Sequence, residues 1–349
     1  MNELKGGMVR ERCRHAREGR LLALFDARSD AASAVGAALR RHSAEMISIE
    51  RESIDGMQAI RAAWPLAGRG AMDEGWLRRV VGCIQPGKGG LVRASLGAAQ
   101  RVAIFVSRRD HCIADLLQRS RSGALPCEIA LIVSNHEDCR PLAERYEVPF
   151  HRFDLAQRSK ECVEAEQLAL LESAEIDLIV LARYMQILSP AFVARYPGRI
   201  INIHHALLPA FAGADPYRRA LARGVKFIGA TAHYVTATLD AGPIIEQEVV
   251  RVTHRDDAQA LQRKGAELER LALARAVRLH VEDRLLPVND RVVVFEGLGT
   301  AHEAILEGSS ADGAAAETAT MAPLAARHWL TVEWPSSELQ RSLPAVFAP

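Results

Sequence analysis

Between residues 100 and 295, short aliphatic and β-branched runs alternate with stretches of helical spacing, and this alternation restricts the fold more than any other feature. Residues 101–106 (RVAIFV), 128–134 (EIALIVS), 148–153, 176–182 (IDLIVLA) and 199–203 (RIINI) read as strands. Residues 113–121, 140–146, 159–174 and 190–196 read as helices between them, with Val163, Leu168 and Leu171 placed to face a core. So regular an alternation predicts an α/β, doubly wound, mostly parallel sheet with crossover helices. Ligands of such sheets lie beyond the carboxyl ends of the strands, so the residues around and after Ile203 are the first place to look. The pattern then changes. Residues 227–235 and 243–252 are strand-like, joined by a turn-rich link at 236–242 that fits a hairpin or a longer active loop. Residues 256–282 read as one long helix and 291–295 (RVVVF) as a final strand.

At roughly 150 residues per domain, a chain of 349 residues accommodates about two domains. Ahead of the alternating region, residues 19–84 show a strand at 21–25, a helix at 31–42, strands at 45–51 and 57–64, and a helix at 73–83. That order predicts a small α+β domain. The expected division is an N-terminal segment at 1–18, the small domain at 19–84, a Gly- and Pro-rich linker at 85–99, the α/β domain at 100–295 and an extension at 296–349. The extension is rich in Ala, Gly, Ser and Pro and is expected to be loosely ordered.

Composition excludes several function classes. Lys plus Arg total 44 against 43 Asp plus Glu, a net charge of +1, so the chain lacks the basic field that non-specific nucleic-acid binding needs. The longest apolar runs fall far short of the ~20 residues that span a bilayer, so no membrane association is expected. Residues 1–20 mix Arg and Glu with no apolar stretch and do not read as a secretory signal. The six cysteines show no Cys-x-x-Cys spacing, which predicts reduced thiols in a cytoplasmic protein and offers no zinc pattern.

No Gly-x-Ser-x-Gly elbow and no phosphate loop ending in Gly-Lys-Ser/Thr is present, and Gly297-Leu-Gly299 reads as a strand-exit turn. His111-Cys112 follows the first strand at a crevice position and reads as site lining or simply as a helix start. The informative stretch is residues 201–209, INIHHALLP. With Ile201 and Ile203 in one layer, Asn202 and His204 point together from the other face of the strand end. A carboxamide and an imidazole converging there suit stabilisation of an oxyanion. On spacing alone, an Asn-x-His that merely caps the strand fits equally well. Further on, His233 sits on a strand and Asp240 on a loop of small residues ending in Gly242-Pro243. By itself Asp240 reads as a solvated turn aspartate. Beside Asn202 and His204 it would instead orient a water or accept a proton.

Asn-x-His-x-x-x-Leu-Pro-x-Phe, Gly-x-Thr-x-His-x-Val and Leu-Asp-x-Gly-Pro-Ile-Ile together resemble the folate-dependent formyltransferase fold family, and within it the formyltetrahydrofolate deformylases. Residues 101–117, 181–189 (LARYMQILS), 199–211 and 224–235 carry the likeness, which covers about 100–295. The resemblance implies that Asn202, His204 and Asp240 are the catalytic trio and that His233 supports the acid. It further implies that Met185, Gln186 and Leu188 meet a pterin through main-chain groups, with His111 and Cys112 lining the site. Ser107-Arg108-Arg109-Asp110-His111-Cys112 stands where ribonucleotide transformylases carry a phosphate cradle. The extension, with seven acidic residues against Arg327 and Arg341, is unlike the RNA-binding domain of methionyl-tRNA formyltransferases.

The implied reaction is hydrolysis of 10-formyltetrahydrofolate to tetrahydrofolate and formate, balancing one-carbon folate pools and supplying formate for purine synthesis. No metal and no further cofactor is implied; the partners are the small-molecule folate and further copies in a homo-oligomer. Two alternatives stay open: a formyltransferase acting on an unidentified amine, and a non-catalytic folate-binding regulator. Deformylases resemble one another in an N-terminal ACT-like (ferredoxin-like) domain, which residues 19–84 fit in degenerate form. Its first turn is Asp26-Ala-Arg-Ser-Asp here, without the usual glycine, which puts ligand binding at that turn in doubt. Ala206 replaces a usual serine, and Asp215 a usual arginine near the substrate entrance.

Overall fold

The computed structural model describes residues 18–26, 28–66, 72–87, 90–154, 158–209, 216–296 and 330–333. Two compact units separate, one built mainly from residues 99–292 and the other from 16–98 with part of the chain after 293.

The N-terminal unit runs β1 (Glu18–Asp26), α1 (Ala31–Arg41), β2 (Ser48–Ile54), β3 (Met57–Pro65), α2 (Glu74–Gly82) and β4 (Leu91–Ser95). All its pairings are antiparallel and the order is β4-β1-β3-β2, consistent with an ACT-like, ferredoxin-like domain. Asp30 and Asp73 cap the two helices by accepting from Ser33 N and Trp76 N, satisfying donors that a helix start leaves free. Leu21, Phe25, Val35, Leu39, Ile60 and Trp64 form the core between sheet and helices. At the first turn the Asp26 carboxylate accepts from Arg28 N at 2.9 Å; Ala27 lies outside the described residues.

The second unit begins with β5 (Gln100–Val106), α3 (His111–Ser122), β6 (Cys127–Ser134), α4 (Arg140–Arg145) and β7 (Phe150–Arg152). It continues through α5 (Lys160–Ser173), β8 (Leu178–Ala182), α6 (Pro190–Arg195) and β9 (Ile200–His204). After α7 (Pro216–Arg223) come β10 (Phe227–Tyr234), β11 (Ile244–Arg251) and α8 (Ala258–Val281). The seven-stranded sheet is ordered β11-β10-β9-β8-β5-β6-β7. Strands β5 to β9 are mutually parallel, while β10 and β11 run antiparallel to their neighbours. From central β5 the chain winds out through β6 and β7, then returns to the other side with β8. The switch point therefore lies between β5 and β8, and their carboxyl ends open a crevice there. Strands buried on both faces read as unbroken apolar runs, as in β8, where all five residues are buried.

Three segments depart from the sequence reading. The stretch taken as a linker contains β4, which pairs with β1; five residues between glycines and a proline are too short to stand out in the pattern. The strand read at 291–295 is present as β13 (Arg291–Val294), and the segment missed is β12 (Leu285–Val288), which pairs with it in a separate two-stranded sheet and which Pro287 hides as a strand. Within the extension, expected to be loosely ordered, β14 (Leu330–Glu333) pairs antiparallel with β4 and buries Val332 in the N-terminal core. Phe211, Asp215, Gly297-Leu298-Gly299, residues 1–17 and the rest of the extension lie outside the described residues.

Truncation just before Leu330 is expected to lower the stability of the N-terminal unit by roughly 1.5–3 kcal/mol, the worth of burying one Val side chain. A urea midpoint equal to the parent's would mean that β14 adds nothing to this unit.

Candidate active site

Strand β9 lies between β8 and β10, and its register decides what meets at its carboxyl end. Asn202 is opposite His233 and His204 opposite Thr231 across the antiparallel pairing with β10. Ile201 and Ile203 are buried in the core while Asn202 is only partly covered. Asn202 and His204 thus share a face, as period-two alternation requires.

Asp240 reaches this face from the link between β10 and β11. The link folds back tightly: Tyr234 N donates to Pro243 O at 3.0 Å, and Ala241 N to Thr238 O at 3.4 Å. Gly242 packs so closely on the Tyr234 carbonyl that a Cβ has no room. Asp240 itself is left-handed (φ 53°), a conformation that Asp tolerates better than most residues. Its Oδ2 lies 3.3 Å from His204 Nδ1. That contact, first, holds the Asp240 carboxyl below its usual range, against the opposing effect of burial.

His233 completes the arrangement. Burial lowers its pKa, so the ring is neutral at physiological pH. Nδ1 faces the Tyr234 carbonyl at 2.9 Å and therefore carries the proton. Nε2 is then a lone-pair acceptor, and Asn202 Nδ2 donates to it at 3.2 Å. With that tautomer, the 3.7 Å approach of His233 Nε2 to Asp240 Oδ1 is no ion pair. His233 fixes the Asn202 amide, leaving the second N–H of Asn202 without a hydrogen-bond partner among the described residues. His204 Nε2 is likewise buried without a hydrogen-bond partner among the described residues. Asn202, His204 and Asp240 thus converge, a set suited to polarising a carbonyl and handling a proton beside it.

The turn after β9 is tied down by Thr231. Its Oγ1 donates to Ala206 O at 2.8 Å and accepts from Leu208 N and Gln247 Nε2, each at 3.0 Å.

The other expected site residues divide. Met185 and Gln186 are exposed after β8, while the Leu188 side chain joins the core, which leaves only its main chain for a ligand. Ser107 Oγ donates to Tyr184 O, and Ser189 N donates to Glu164 Oε1 at 2.9 Å, holding the ends of this loop. His111 and Cys112 open α3. Cys112 is 1% exposed and burial pushes its thiol well up, so it has no surface to offer and no ready thiolate. His111 turns to Glu269, with Nε2 2.9 Å from Oε2.

The sequence reading missed Glu269, Tyr217 and Arg183. Glu269 is 2% exposed on α8, accepts from Tyr217 OH at 2.8 Å and lies 3.4 Å from Arg183 Nε. Burial alone would raise its carboxyl; His111, Arg183 and Tyr217 outweigh it and bring the pKa below the usual value. One signal was available: an acid in step with the buried stripe Leu261, Gly265, Leu268, Ala272 and Ala276. Gly265 is required where the Tyr217 ring crosses α8. His111, Cys112 and Glu269 bring their ligand atoms within 4.8 Å of one another. Yet both Glu269 oxygens are engaged, a guanidinium adjoins, and the Cys112 thiol is held protonated, so the grouping is poorly suited to a cation.

This chain matches the family model described as formyl transferase over residues 100–277. Formyltetrahydrofolate deformylase of Synechocystis sp. is 56% identical over 195 residues, spanning 56% of this chain and 68% of that protein. The chain belongs to the formyl transferase family, among its formyltetrahydrofolate deformylases. The Mycobacterium tuberculosis deformylase is 44% identical over 283 residues, across 79% of this chain and 90% of its own length. The crystal structure of a formyltetrahydrofolate deformylase from Pseudomonas syringae superposes with a TM-score of 0.74 at 38% identity, covering 81% of this chain and 96% of that one. The likeness thus extends beyond the α/β unit that the family model matches.

His205 follows the trio's histidine and stacks near Tyr217, with ring centroids 6.0 Å apart. Burial, then the Arg183 charge, lowers its pKa from 6.5 to about 4. The unfolded chain takes a proton near pH 6.5 that the native site refuses until about pH 4, so stability falls as pH drops through that window. The contribution is at most about 3 kcal/mol. His205→Asn is expected to flatten the decline in urea midpoint between pH 7 and 4.5; an undiminished slope would remove His205 as its source.

Proposed function

We propose that this chain hydrolyses 10-formyltetrahydrofolate to tetrahydrofolate and formate, as the names of its relatives indicate for those proteins. The observation that carries the reading is the convergence of Asn202, His204 and Asp240 at the carboxyl end of β9. Water attacks the formyl carbon while Asp240 orients it and takes up its proton. A carboxylate kept below its usual range is ionised at neutral pH and ready to accept. The second N–H of Asn202 donates to the oxygen as it becomes an oxyanion, and His204, as an imidazolium with Nδ1–H on Asp240, donates to it from Nε2. The proton then passes to the departing nitrogen as the C–N bond breaks. His233 acts on the substrate only through Asn202, by fixing the orientation of the amide.

Arg183 and Met185, in the chain after β8, are both left-handed. Main-chain groups of Met185, Gln186 and Leu188 are the proposed contacts of the pterin, with Met185 and Ile187 offering apolar cover. His111 contributes through Glu269. The reading calls for no metal and no cofactor beyond the folate itself.

It also includes a cytoplasmic location and a homo-oligomer. Cys83, Cys112, Cys139 and Cys162 are free thiols, which suits a reducing compartment, and no helix among the described residues is long and apolar enough to cross a membrane. The formate released would serve purine synthesis and the balance of one-carbon folates.

The test is incubation with 10-formyltetrahydrofolate and no amine acceptor, following tetrahydrofolate and formate. The parent is expected to release both. Asn202→Ala is expected to lose about 10²–10³ in kcat, and Asp240→Asn to abolish measurable turnover. Near-full activity of Asp240→Asn would overturn the role given to that carboxylate. Turnover only after an amine is added would overturn hydrolysis in favour of transfer.

A further inference from the structure

Arg183 has no part in the reaction as described, yet the structure holds it at some cost. It follows β8 directly and is left-handed, with φ 64°, a conformation that is strained for any residue with a Cβ. In the parallel register Leu181 stands opposite Asn202, and Arg183 follows directly on the end of β8, with its charge felt at His205, the residue after β9. Its side chain is 15% exposed. Nε and Nη1 are both buried and neither has a hydrogen-bond partner among the described residues. Glu269 supplies a counter-charge 3.4 Å from Nε but does not fill the fork, since its oxygens are taken by Tyr217 and His111. His205 nearby is kept neutral and adds no competing cation.

Hydrolysis makes a demand that formyl transfer does not. Transfer to an amine yields a neutral amide, whereas transfer to water yields a carboxylate. The water oxygen bonds to the formyl carbon, the C–N bond breaks, and one water proton ends on the tetrahydrofolate nitrogen. The carbon leaves as formic acid, which gives up its remaining acidic proton and becomes formate. An anion formed in a buried place needs a paired cation, and a guanidinium fork matches a carboxylate.

We propose that Arg183, held against the ends of β8 and β9 by Glu269, binds the formate anion that the reaction releases. This rests on the hydrolysis reading above. The site selects for the product of water attack and makes Arg183 a determinant of which acceptor the enzyme serves.

The test titrates 13C-labelled formate into the full-length protein without folate, following NMR line broadening against a sodium chloride series of equal ionic strength. Saturable broadening is expected for the parent. Arg183→Gln is expected to bind formate roughly 10- to 100-fold more weakly, the effect of losing a hydrogen-bonded charge. Arg183→Lys keeps the charge, loses the fork and is expected to fall between. In turnover, formate is expected to inhibit the parent and to inhibit Arg183→Gln far less, with KM for the folate little changed. Parent-like formate binding by a folded Arg183→Gln would overturn the proposal. Should that variant not fold, parent-like binding by Arg183→Lys would do the same. Arg183-dependent binding in a protein that releases no formate would support the anion site and sink the hydrolysis reading. Hydrolysis without any Arg183-dependent binding would sink the site alone.

Discussion

The register of β9 between its two neighbours is the constraint on which the candidate site depends. On one side it sets Asn202 opposite His233 and His204 opposite Thr231. On the other it sets Leu181 opposite Asn202, which brings the end of β8 level with the end of β9. A slip of one residue would send Asn202 and His204 to the opposite face and bring two isoleucines out of the core. Burial of Ile201 and Ile203 makes that slip costly, so the same alternation that stabilises the sheet also aims the polar residues.

Around that strand lies a graded set of charges. Asp240 is partly covered, and contact with His204 keeps it ionised. Glu269 is deeper and is ionised only because His111, Tyr217 and Arg183 surround it. Removing a buried carboxylate from water costs several kcal/mol, and partners drawn from α3, α7 and the turn after β8 offset that. A carboxylate so bound links four elements that are distant in sequence; its partner His111 is 158 positions away. His233 is kept neutral by burial, which leaves it with a fixed tautomer and so a fixed effect on Asn202.

Much of the α/β unit was legible in the sequence. The run RVAIFV marks β5 and IDLIVLA contains β8, because strands covered on both faces leave continuous apolar runs. The strands that escaped notice are those without such a run. β4 sits between glycines, β12 contains a proline, and β14 is four residues long within an Ala- and Gly-rich extension. Each gains its strand conformation from the partner it pairs with rather than from its own composition. The site divides in the same way. Asn202, His204, His233 and Asp240 lie on short, patterned segments, and a period of two was enough to place the first two on one face. Glu269, Tyr217 and Arg183 carry no local pattern. Leu188, given a main-chain role by the resemblance, places its side chain in the core and keeps its main chain available for that role.

The sequence by itself determined the strand–helix alternation of the α/β unit from β5 to β9, the face on which Asn202 and His204 lie, and the family to which the chain belongs, because these follow from local periodicity and contiguous motifs. Tertiary structure alone decided that Asp240 reaches His204, that His233 is neutral with its proton on Nδ1, and that Arg183 lies against Glu269 with two buried donors lacking a hydrogen-bond partner among the described residues. Those outcomes depend on burial and on charges supplied by other elements. Desolvation and pairing are properties of the folded surroundings, and no residue carries them in its own stretch of chain.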